Sequence, residues 1–87
     1  MRSLLFVPQA WEQYTYWQGQ DRKTLKRINL LLEAVSRDPF DGPGKPEPLV
    51  GSLAGYWSRR IDEVNRLVCR ATDTEIVVIS CRYHYER

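Results

Sequence analysis

The chain has little of what metal and redox chemistry needs: two cysteines, Cys69 and Cys81, and one histidine, His84. Two thiols with no companion Cys or His at ligand spacing make no zinc site, so neither a metal nor another cofactor is expected. Long apolar runs are missing too. LLFV at residues 4–7 is too short for a secretory signal or a membrane span, and Pro8 closes it. These absences predict a cytoplasmic protein with reduced thiols and no membrane contact. An excess of charge of one sign is also lacking. Thirteen Lys and Arg stand against eleven Asp and Glu, for a net charge of +2. Bulk charge therefore makes no case for nucleic-acid binding, which must rest on local clusters.

What is present is a core-forming composition. The 87 residues are 43% hydrophobic and include three Trp, five Tyr and two Phe, enough large apolar surface for one small folded domain spanning residues 1–87. Ten of the thirteen basic residues are Arg, which grips phosphate bidentately, although a GC-rich genome produces the same bias.

Local patterns predict the order β-α-α-loop-β-β-β. RSLLFV (residues 2–7) reads as a short buried strand ending at Pro8. Trp11, Tyr14 and Trp17 recur every third residue and mark one face of a helix from Gln9 to about Gln18, stopped by Gly19. Asp21 can cap a second helix whose apolar stripe is Leu25, Ile28, Leu32 and Val35, ending before Pro39. Arg22, Lys23, Lys26 and Arg27 make a basic ridge on it. The ridge fits a solvated face as well as a contact surface for RNA phosphate or an acidic partner. DPFDGPGKPEP (residues 38–48) holds four of the five prolines and reads as a stiffened loop. Three strands are predicted after it, over Tyr56–Asp62, Arg66–Thr72 and Ile76–Tyr85. The fold class is α+β in two layers: an N-terminal strand and a helix hairpin packed on a mainly antiparallel sheet.

A three-residue loop at Asp73–Glu75 would set Arg66 opposite Arg82 and Thr72 opposite Ile76. Leu67, Cys69, Ala71, Val77, Ile79 and Cys81 would then line the core. Arg66, Val68, Arg70, Ser80, Arg82 and His84 would form an arginine-lined outer face. A similar three-residue turn after Asp62, with Asn65 left-handed, adds Arg60 to that face. Glu47, held between Pro46 and Pro48, would reach it from the loop. A carboxylate, an imidazole and fixed guanidinium groups suffice for RNA cleavage. A base takes the ribose 2′-proton, an acid protonates the leaving 5′-oxygen, and arginines hold the charged phosphorane between them. Surface salt bridges account for many such sets equally well.

Longer motifs narrow this. YWQ at Tyr16–Gln18, PF-x-G-x-GKPEPL at Pro39–Leu49, WSRRI at Trp57–Ile61, NRLV at Asn65–Val68 and CRYHY at Cys81–Tyr85 follow in order. On these the chain resembles the YoeB (Txe) family of the RelE/ParE toxin superfamily over nearly its whole length. The resemblance implies a RelE-like microbial RNase fold. It also implies a toxin that cleaves mRNA in the A site of the 70S ribosome and is neutralised by a YefM-like antitoxin. Operator DNA would be bound only through that antitoxin, and a homodimer is an open expectation. By motif position the catalytic residues are Glu47 (base), Arg66 (phosphate), His84 (acid) and Tyr85. Lys45, Arg59, Arg60 and Arg82 are expected RNA contacts. At Val50 the chain departs from the family, which often has a basic residue there. Two alternatives stay open: a toxin of this fold acting on a protein target, and a non-catalytic co-repressor working with its antitoxin.

Overall fold

A computed structural model describes residues 1–83. Helix α1 (Pro8–Gln20) starts at a proline, whose missing N–H is no loss in the first turn. Gly19 lies inside this helix, and the stop comes at Asp21, whose extended backbone ends α1 and begins α2 (Arg22–Arg37). The Asp21 carboxylate accepts from the Lys23 N–H at 3.1 Å, the Thr24 N–H at 3.2 Å and the Thr24 hydroxyl at 2.9 Å. These bonds satisfy free donors of the first turn and hold the carboxyl below its usual range. Ile28, Leu31, Leu32 and Val35 form the buried stripe of α2, with Leu25 partly buried beside it.

Five strands make one sheet in the order β1-β5-β4-β3-β2. Strand β1 (Ser3–Phe6) runs parallel to β5 (Glu75–Ser80). β4 (Arg66–Ala71), β3 (Trp57–Arg60) and β2 (Glu47–Pro48) continue antiparallel. The two helices cover the face bearing Leu67, Cys69, Ile76 and Val78. This is the expected α+β, two-layer arrangement. Each strand is shorter than predicted, although β5 begins one residue earlier, and β2 lies where a loop was expected.

The β4–β5 hairpin combines two registers. Next to the turn, Ala71 faces Ile76 and Cys69 faces Val78, and Asp73–Thr74 is the loop. Across an irregularity between Val68 and Cys69, Val68 faces Ser80, as the three-residue loop required. The bulge adds one residue to β5, so Ile76, Val78 and Cys81 all reach the core, while Val77 and Ile79 are only partly buried. The expected inward set is thus correct for Leu67, Cys69 and Cys81 and wrong for Val77 and Ile79. The turn after β3 also differs. Asp62 accepts from the Val64 and Asn65 N–H groups at 2.8 and 2.7 Å, and among the described residues the left-handed non-glycine ones are Lys45 and Tyr83, not Asn65.

Both cysteines are buried, and burial pushes each thiol up to about 12. A thiolate reagent at pH 8 should label neither in the folded protein and both after denaturation. Rapid labelling of the native protein would contradict the core assignment.

Candidate active site

The proline-rich segment is fastened along β3. The Gly44 carbonyl accepts from the Arg60 N–H at 2.7 Å, Glu47 and Pro48 pair with Ser58 and Trp57, and the Leu49 N–H donates to the Tyr56 carbonyl at 2.9 Å. Pro46 and Pro48 have no N–H, so this segment can only be a sheet edge. The turn entering it needs glycine. Gly44 has φ +90°, and a β-carbon there would lie 2.9 Å from Leu31 Cδ2. Lys45 follows at φ 51°, exposed.

Pairing then sets a row across four strands on the face away from the helices: Glu47, Ser58, Val68, Ser80. Arg60 and Arg66 are paired one step along, and Arg70 stands beyond Val68 with its guanidinium carbon 5.7 Å from the Tyr56 ring centre. Arg66 Nη1 reaches Glu47 Oε1 at 3.5 Å and Ser58 Oγ at 3.4 Å, while its buried Nε has no partner among the described residues. The Arg66 side chain is 16% exposed and that of Glu47 is 63% exposed. A guanidinium this enclosed, with two long contacts and an unused donor, retains capacity for an anion. Glu47 beside it is open to solvent and to a substrate.

The expected site residues do not all meet here. Glu47, Arg60 and Arg66 share the face, and Lys45 lies two residues before Glu47 on the same edge. Arg59 lies elsewhere. It alternates to the core side, is 2% exposed, and donates to the carbonyls of Asp38 (2.7 Å), Asp41 (2.9 Å) and Pro43 (3.1 Å). Burial pulls its guanidinium below its usual range. It anchors the proline-rich segment from the core side, away from the face that bears Glu47 and Arg66. Arg82 lies against helix α1, 3.6 Å from the Tyr16 ring centre and 4.5 Å from that of Tyr83. His84 and Tyr85 lie outside the described residues. Ser58 and Arg70 were not singled out as site residues. Strand alternation from Arg60 and Arg66 was the signal that could have found both.

The fold is that of the YoeB- and ParE-type toxins. A family model described as "YoeB-like toxin of bacterial type II toxin-antitoxin system" matches residues 6–85. Toxin YoeB of Mycobacterium bovis is 56% identical over 85 residues, covering 98% of this chain and all of that one. The YoeB/ParE toxin from Agrobacterium tumefaciens superposes with a TM-score of 0.91 at 44% identity, over 95% of this chain and 99% of that chain. The toxin in a heterotetrameric YoeB–YefM complex from Staphylococcus aureus does so at 0.89 and 45%, over 98% and 99%. The chain belongs to the YoeB-like family and is the toxin of a type II toxin–antitoxin system.

Proposed function

We propose that this toxin is a ribosome-dependent endoribonuclease that cuts mRNA in the A site by attack of the ribose 2′-oxygen on the adjacent phosphate. The observation that carries the reading is the Glu47–Arg66 pair, an exposed carboxylate 3.5 Å from an enclosed guanidinium with spare donors. Glu47 accepts the 2′-proton. Arg66, with Arg60 beside it, holds the phosphate as charge gathers on it. His84 gives its proton to the departing 5′-oxygen, with Tyr85 next to it, and Lys45 contacts the RNA backbone. Every proton in this scheme moves between protein side chains and RNA, so no catalytic metal is required. A YefM-like antitoxin would neutralise the toxin by laying an acidic segment over the Arg60–Arg66–Arg70 face.

A single 2′-deoxy substitution at the cleavage position of ribosome-bound mRNA tests the reading. It should abolish cleavage, and the all-ribose substrate should give 2′,3′-cyclic phosphate and 5′-hydroxyl ends. Cleavage of the deoxy substrate at the normal rate would refute the 2′-oxygen as nucleophile.

A further inference from the structure

Helix α1 buries Ala10, Gln13 and Trp17, and one of the three is an amide. A buried amide is unfavourable unless its polar atoms are bonded, so the partners of Gln13 indicate what it is for. Its Oε1 accepts from the Cys81 N–H at 2.8 Å and from the Ser80 hydroxyl at 3.3 Å. One turn on, Trp17 Nε1 donates to the Cys81 carbonyl at 2.9 Å. β5 ends at Ser80, and at the next residue α1 takes over both backbone polar groups that a sheet ladder would have held.

The chain beyond is steered as closely. Arg82 stacks on Tyr16 of the same helix. Tyr83 adopts φ 71°, a left-handed backbone that is unfavourable for a non-glycine residue. Its N–H donates to Asn65 Oδ1 at 2.6 Å, and its carbonyl accepts from the N–H of Arg66 at 3.1 Å. The backbone of residues 81–83 is therefore tied to α1 at Cys81 and, at Tyr83, to Asn65 and the Arg66 amide.

We infer that Gln13 is a positioning residue for proton donation: by holding the Cys81 amide it sets the course of residues 81–83, which precede His84 in the sequence. The inference rests on the endoribonuclease reading and on His84 as its acid. In that reaction the 2′-oxygen forms a bond to phosphorus, the bond from phosphorus to the 5′-oxygen breaks, and the acid's proton ends on that 5′-oxygen. When sulfur replaces the bridging 5′-oxygen, the thiolate departs without a proton. A defect confined to proton donation then disappears.

Single-turnover cleavage of ribosome-bound mRNA, with oxygen or sulfur at the bridging position, tests this. Gln13→Met keeps the volume and removes the acceptor. It should slow the oxygen substrate at least about tenfold, since small displacements of a catalytic group cost that much or more, and cut the sulfur substrate at the parent rate. Gln13→Glu retains an acceptor oxygen and should restore cleavage of the oxygen substrate. Equal slowing on both substrates, or none on oxygen, would overturn the inference. Gln13→Ser, which leaves room for water at the Cys81 amide, is read by the same criteria if the methionine variant does not fold. His84→Gln separates the two levels. If sulfur rescues it but not Gln13→Met, Gln13 has no positioning role and the acid stands. If sulfur rescues neither, the acid assignment falls and the inference with it.

Discussion

Glu47→Gln is expected to slow cleavage of ribosome-bound mRNA by about a hundredfold or more, the usual contribution of a positioned base. The substitution keeps shape and hydrogen-bonding length, so little else changes. With 63% of its side chain exposed, Glu47 carries almost none of the fold's stability. The urea unfolding midpoint should therefore stay near that of the parent, and a drop in activity alone would identify a chemical role. Arg66→Ala should cost at least as much, because in the proposed mechanism it removes the guanidinium that faces the developing phosphorane. It also empties a partly buried position on β4, so some loss of stability is expected. Arg66→Lys should recover little activity, since a single ammonium cannot present two parallel donors to a phosphate. Full activity in Glu47→Gln would remove the carboxylate from the mechanism while leaving the toxin assignment intact.

Much of the architecture was legible because it is local. Asp21 as a cap, the Ile28–Leu32–Val35 stripe and the boundaries near Pro8 and Pro39 each follow from a few neighbouring residues. α1 was read less well. Three-residue spacing drifts about 60° per step around a helix. Trp17 therefore falls in the core while Trp11 swings out to 51% exposure, against Phe6 and Tyr14. The buried line instead runs Ala10–Gln13–Trp17, where a small residue and an amide hid the pattern. The hairpin register failed at Val77 and Ile79 because a bulge at mid-strand lets both loop lengths be right, each over half of the hairpin. β2 was hidden by Pro48 and the preceding Pro46, since proline is rare in strands but tolerated at an edge.

The site was legible where a motif and a strand period agreed. Placing Arg60 and Arg66 on the outer face followed from alternation. The same alternation put Arg59 on the opposite face, although its place in the WSRRI motif argued for RNA. The proline-rich segment accommodates a buried guanidinium there, turning carbonyl oxygens inward to meet it. No local sequence signal announces such a contact, because its acceptors are backbone atoms 16 to 21 residues away.

That contact gives the second large expected effect. Arg59→Met should fill most of the space but leave the carbonyls of Asp38, Asp41 and Pro43 without their donors. A buried polar group stripped of its partner costs about 1–3 kcal/mol. Some of these carbonyls can turn toward water, so a total loss of about 3 kcal/mol is expected, a large share of a small domain's stability. Arg59→Lys should not restore it, because one ammonium cannot span the three acceptors that the planar fork reaches. The damage should also be directional. The anchored segment continues into Gly44, whose carbonyl holds Arg60, and then into Glu47. Protease cleavage should therefore appear first between residues 38 and 46, and RNA cleavage should fall in molecules that are still folded. Urea unfolding of the isolated toxin, with limited proteolysis below the transition, measures both. An unchanged urea midpoint would show that the three carbonyls find other donors, and that Glu47 is held in place by its β3 pairing alone.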